Sequence, residues 1–159
     1  MKRVISTTAA PGAVGPYSQA VEANGFVFVS GQLPLDPATG AFVSDNTDEQ
    51  AEQCIKNLLA VLAAAGCKAE DVVKATVFMI DIGEFSVVNE VYAKYFNGEC
   101  PARCAMQVGA LPHFRLDGRF DAESRWSRSR PLRSSRKQTE TKRKGETQFL
   151  PSFFDANAV

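Results

Sequence analysis

Regular apolar periodicity in this chain stops at Pro112, so anything that folds into a packed domain must be built from what precedes it. Beyond it, residues 119–148 keep no sustained period of 2 or 3.6 and are rich in Arg, Ser, Lys and Thr. A segment of that composition cannot bury enough apolar surface to offset the entropy of ordering it. Charge divides the chain at the same point. Residues 1–112 hold 7 Lys/Arg against 12 Asp/Glu, and residues 113–159 hold 11 against 6, so a formal net charge of zero hides two segments of opposite sign. The expectation is one domain over 1–112, without a further strand, followed by a basic, disordered tail over 113–159. Strand or helix fragments in that tail are expected only near Phe149–Phe154.

Within residues 1–112 the elements follow from pattern. Val4–Thr7 reads as a short edge strand, and residues 8–16 as a Pro/Gly loop. Asn24-Gly25 supplies the positive φ angles of a type I′ turn, which predicts a hairpin between Ser18 and Val29. Phe26-Val27-Phe28-Val29 is apolar at every position, as in a strand covered on both faces. Thr47 with Gln50 three residues on reads as a capping box. The helix it opens carries Ala51, Cys54, Ile55, Leu58, Leu59 and Leu62 on one stripe and runs to about Ala65, with Gly66 as its stop. Val72–Ile80 is a second apolar strand, Glu84–Phe96 a second helix, and Ala102–Leu111 a further strand. The order β-β-β-α-β-α-β predicts an α+β fold: a mixed sheet with two helices packed on one face. Strands apolar throughout require the other face to be covered too, which predicts an oligomer.

No apolar stretch of signal-peptide length opens the chain, and no run of 18 apolar residues occurs, so no membrane span is expected. Cys54, Cys67, Cys100 and Cys104 contain no C-x-x-C, and Cys100 and Cys104 with the distant His113 make a poor zinc site. The expectation is free thiols in a reducing compartment and no metal. Cytosol is the default and an organelle the alternative.

Three motifs carry chemistry: Gly15-Pro16-Tyr17-Ser18-Gln19-Ala20; Ser30-Gly31-Gln32-Leu33-Pro34-Leu35-Asp36-Pro37-Ala38-Thr39-Gly40; and Pro101-Ala102-Arg103 followed by a β-run. In their order and spacing they resemble the RidA (YjgF) family of enamine/imine deaminases. That resemblance covers about residues 1–112. It implies a chorismate-mutase-like fold, a homotrimer with sites in the clefts between subunits, and no cofactor. It also implies hydrolysis of reactive 2-imino or 2-enamino acids (2-iminobutanoate, 2-iminopropanoate) to 2-keto acids and ammonia.

Arg103 is the foremost candidate. A guanidinium beside an apolar strand needs a partner, and a substrate carboxylate fits its fork; an internal ion pair with Asp or Glu is the alternative. By the resemblance, Tyr17 lines the cleft, against the plainer reading of a packing aromatic. Ser30 and Gly31 end a strand where Gly allows close backbone approach, or they simply form a turn. Asn89 lies on the polar side of the second helix, as a substrate contact or an ordinary surface residue. Cys104 and Ala105 depart from the family, which commonly has Ser and then often Cys. Ala105 still offers backbone contact to substrate, and Cys104 reads as a buried, inert thiol.

The tail is the larger departure. The family closes its sheet with a strand like LVEIEAIAVV, one of whose glutamates activates the hydrolytic water, and no such strand stands here. Yet Arg125–Ser135 (RWSRSRPLRSS) can be back-translated so that reading from the third base gives LVEIEAIAVV. Trp126 allows no choice of codon. The tail therefore reads as the family's last strand out of frame, against the alternative of an Arg/Ser-rich extension. Two functions follow: a deaminase impaired for want of its Glu, or a non-catalytic module of the same fold that binds small carboxylates or is RNA-binding and ribonuclease-like. Nucleic acid would bind only through the basic tail.

Overall fold

Asn24 and Gly25 adopt φ of 53° and 79° and turn β2 (Ala20–Ala23) antiparallel onto β3 (Phe26–Gln32), as the Asn-Gly pair predicts. β1 (Arg3–Ile5) adds antiparallel to β2. These elements belong to a computed structural model that describes residues 1–111, 113–114, 120–121 and 153–158. The out-of-frame reading of 125–135, with Trp126, lies outside the described residues.

Helix α1 (Thr47–Ala65) ends at Gly66, whose φ of 88° only glycine adopts without strain. Its start differs from the expected capping box by one residue. Asn46, with extended backbone, is the N-cap, and its side-chain amide donates to Glu49. Gln50 is fully buried, and burial draws its amide to the carbonyl of Ser44 instead, at 2.9 Å. The buried stripe is Ala51, Cys54, Ile55, Leu58, Val61 and Leu62, with Leu59 only partly covered. Each large aliphatic side chain of this kind contributes roughly 1.5–3 kcal/mol on full burial.

β4 (Val72–Met79) and β5 (Ala102–Gln107) are parallel, which a tight turn cannot achieve; α2 (Phe85–Tyr95) is the crossover between them. Ala75, Val77 and Met79 alternate inward onto the helices, and Val88, Val91 and Tyr92 of α2 meet the same core. β5 stops at Gln107, four residues short of the expected end.

Beyond Pro112 the expectation needs correction. β6 (His113–Phe114) and β7 (Phe120–Asp121) pair antiparallel in a unit separate from the main domain. β8 (Phe153–Ala158) belongs to the main domain, and the strand order is β1-β2-β3-β8-β4-β5. β8 runs antiparallel to both neighbours, with Ala156 opposite Val29 and Ala75. The sheet therefore does have a strand from 113–159, drawn from close to the fragment region expected at Phe149–Phe154. The physical reason is that β3 and β4 are each buried on the helix side, and two such strands cannot leave facing backbone edges unpaired.

The mixed sheet with two helices on one face is as expected. The other face is open within one chain: Val4, Phe26, Phe28 and Met106 are exposed there, Phe28 at 48%. The two-sided apolar pattern of Phe26–Val29 thus describes one face covered by helices and one that a single chain leaves to solvent.

Candidate functional site

Arg103 sits on β5, an edge strand, in register with Ala75, and so on the helix side of the sheet. Its Nη2 donates to Asn89 Oδ1 at 2.8 Å, and its guanidinium carbon lies 4.5 Å from the ring centroid of Tyr92 and 5.2 Å from that of Phe85. All three partners project from α2 at positions one turn apart, the spacing that puts them on one face. Tyr92 is stacked in turn on Phe96, with centroids 4.4 Å apart. Burial pushes the Tyr92 hydroxyl up to about 12 despite the nearby Arg103 charge, which pulls the other way. The ring is therefore neutral at physiological pH.

The ion pair held open as the alternative for Arg103 is not found: among the described residues no carboxylate pairs with it, and the ion pairs present are Arg3–Glu22, Lys56–Glu52 and Lys68–Glu70. Asn89 is brought to Arg103 rather than left as a bare surface residue. Ala105 lies two residues along the same side of β5, partly buried beside Val77. Cys104, between them, alternates to the open face that Met106 also occupies and is exposed, which corrects the expectation of a buried thiol. All four cysteines are free, as expected.

A second cluster forms around Tyr17. Its side chain is half exposed in a groove that Val4, Thr7, Gly12 and Ser18 also line. The loop is held by Gln19, which is buried. Its Oε1 accepts from Thr7 N at 2.6 Å, and its Nε2 donates to the carbonyls of Thr7, Ala10 and Pro11. Ser30 joins the same cluster, with Oγ on the Ser18 carbonyl at 2.7 Å and its amide on the Gln19 carbonyl at 2.9 Å. Ser30 and Gly31 do not end the strand or form a turn. They sit inside β3, where its register against β8 shifts between Val29 and Gln32. A bulge of this kind re-aims local backbone groups and is frequent beside binding sites.

The structure therefore gathers the candidates into two groups: Arg103, Asn89 and Ala105 on β5 and α2, and Tyr17, Ser30 and Gly31 at the loop and β3. They lie at similar heights on the sheet but three strand positions apart, which at the usual spacing is roughly 14 Å. Among the described residues no cluster of three His, Cys, Asp or Glu could hold a metal, and no helix is long and apolar enough to cross a membrane.

Two positioning residues were given no role in the sequence reading. Gln19 is one, although it stands inside the first motif. Asn57 is the other, buried in α1, donating to the carbonyls of Leu33 and Leu35 at 2.9 Å and so fixing the loop after β3. A polar residue in the apolar stripe of a helix is the signal that marks Asn57. Gln19→Leu keeps volume but strips the Thr7–Pro11 loop of its bonds. It should lower stability by about 1–3 kcal/mol, read as a lower urea midpoint, and an unchanged midpoint would show that the loop holds itself.

Comparison with known proteins accords with this arrangement. A family model described as Endoribonuclease L-PSP matches residues 7–117. A RutC family protein of Sinorhizobium fredii is 56% identical over 108 residues, covering 68% of this chain and 86% of its own length. The human 2-iminobutanoate/2-iminopropanoate deaminase is 51% identical over 112 residues, covering 70% of this chain and 82% of the human protein. The crystal structure of E. coli TdcF with bound serine superposes with a TM-score of 0.73 at 30% identity, covering 99% of this chain and 98% of that one. Motifs, sheet order and these likenesses agree: the chain belongs to the RidA (YjgF) family, the group described as endoribonuclease L-PSP, and has its fold.

Proposed function

We propose that the chain binds small 2-imino and 2-keto acids through Arg103 and hydrolyses the imines slowly, in clefts completed by neighbouring copies of itself. The observation that carries the reading is the state of Arg103: positioned by Asn89 and two rings, charged, and without a carboxylate partner among the described residues. A substrate carboxylate supplies that partner. The roughly 14 Å between the two groups supports the second half of the reading, since Tyr17 and Ser30–Gly31 of one copy reach a ligand on Arg103 of another more readily than one on their own. The exposed Phe28 and Met106 on the open sheet face fit burial between copies, and a trimer is the assembly proposed.

In the reaction, Arg103 anchors the carboxylate while Tyr17 and the Ser30–Gly31 backbone, with that of Ala105, orient the imine. Water adds to the C=N carbon and its proton passes to nitrogen. The resulting carbinolamine expels ammonia and leaves the 2-keto acid. The step least provided for is proton transfer. The strand that completes the sheet, Phe153–Ala158, contains Asp155 and no Glu. Binding without turnover is the second reading, favoured by that same absence. Free cysteines fit a reducing compartment, and affinity for polyanions is assigned to the basic 113–159 segment, to weaken steeply with salt.

The test is ammonia release from enzymatically generated 2-iminobutanoate. Replacing Phe153–Ala158 by the Glu-bearing sequence EIEAIA is expected to raise turnover by roughly 10²–10⁴-fold, with little change in affinity for 2-ketobutyrate. Equal turnover by both forms would show that the unaltered chain already has its proton-transfer group.

A further inference from the structure

Arg103 is a long, partly exposed side chain on an edge strand, and such a side chain ordinarily samples several rotamers. Here it is confined on two sides by different chemistry. Asn89 accepts one N–H of the Nη2 nitrogen, and the planar cation lies closer to Tyr92, at 4.5 Å, than to Phe85, at 5.2 Å. Tyr92 cannot swing away to let the guanidinium move. It is only 5% exposed, backed by Phe96 at 4.4 Å, and packed into the core with Val88 and Val91. A buried, immobile ring under a planar cation sets the plane of that cation, and the negative face of the ring stabilises it without using any of its N–H donors. The remaining donors stay available to a ligand.

We infer that Tyr92 is a positioning residue for substrate recognition: its ring is the platform that fixes the plane of the Arg103 guanidinium, so that carboxylate binding costs little rotamer entropy. This rests on the reading of Arg103 as the carboxylate anchor. The hydroxyl plays no part in the platform, so phenylalanine should replace tyrosine there and an unbranched aliphatic residue should not.

The experiment compares Tyr92→Phe and Tyr92→Met, alone and with Arg103→Lys, using 2-ketobutyrate binding by calorimetry and the Arg103 Nε–H resonance of ligand-free, ¹⁵N-labelled protein. Tyr92→Phe should bind within about twofold of the parent and keep the ring-current shift of that resonance. Tyr92→Met should weaken binding by roughly 5- to 30-fold, lose the ring-current shift, and raise KM more than it lowers kcat. In the Arg103→Lys background, Tyr92→Met should have little further effect. Urea midpoints measured alongside separate loss of fold from loss of platform. If Tyr92→Met unfolds, the Phe variant and the resonance still decide, since a resonance without ring-current shift in the parent overturns the inference. Unchanged affinity in Tyr92→Met, with binding abolished in Arg103→Ala, overturns the inference alone. Retained binding in Arg103→Ala overturns it together with the reading on which it rests.

Discussion

Arg103→Ala is expected to abolish measurable binding of 2-ketobutyrate while leaving the fold intact. The substitution removes the cation held by Asn89 and the α2 rings and leaves a cavity at the edge of the sheet, open to water. Stability should change little, because the guanidinium is partly exposed and makes no ion pair among the described residues. Binding should suffer far more. A sheltered, charge-assisted bidentate pair lost from one side costs roughly 2–5 kcal/mol, which is roughly 30- to 4000-fold in Kd. Arg103→Lys should recover only part of this. An ammonium offers a point charge without a planar fork, and it stacks less well on Tyr92. Calorimetry with 2-ketobutyrate and with a neutral amide of the same size makes the comparison. Equal loss for both ligands, or no loss for the keto acid, would remove Arg103 from the site.

Deletion of residues 150–159 should be severely damaging. β8 lies between β3 and β4 and is hydrogen-bonded to both, so its loss opens two internal edges at once. Each backbone hydrogen bond contributes a net of about 0.5–1.5 kcal/mol, and six residues laddered on both sides sum to several kcal/mol. The whole stability of a domain this size is only about 5–15 kcal/mol. The freed edges also carry unpaired N–H and C=O groups that template association. The expected result is loss of a cooperative urea transition, or a large fall in its midpoint, together with aggregates by light scattering. A monodisperse truncated protein with an unchanged midpoint would mean that residues 1–111 are stable without a strand between β3 and β4. Restoring a strand by the EIEAIA replacement in the full chain should at least preserve the midpoint, which separates the structural role of this position from its chemistry.

Much of the domain could be read from local pattern. Asn24-Gly25 dictated the hairpin because only such residues accept two positive φ angles in succession, and the chain turns there as read. The stripe through Ala51, Cys54, Ile55 and Leu58 dictated α1, and Gly66 its end. These are short-range constraints, set by residues within a turn or two of each other. The start of α1 was misjudged by one residue because Gln50 is drawn to Ser44 by burial, which no capping pattern encodes.

The candidate site residues were named from the sequence, through three motifs and an arginine on an apolar strand. Their grouping was not. Arg103 meets Asn89 and Tyr92 only because β5 lies parallel to β4 under the crossover helix, and Ser30 meets Ser18 only because β3 folds back beside the loop that precedes β2. The strand at Phe153–Ala158 shows the limit most plainly. From Phe154 to Ala158 apolar and polar residues alternate, which suits a half-buried strand, but so short a pattern does not say which neighbours it pairs with. Their place is decided by two half-buried neighbours, β3 and β4, whose facing backbone groups require partners. The sequence by itself determined the turns and the helices and named the candidate site residues. Only the tertiary structure decided which strand closes the sheet and which side chains hold the arginine, because both are settled by contacts between residues far apart in the chain.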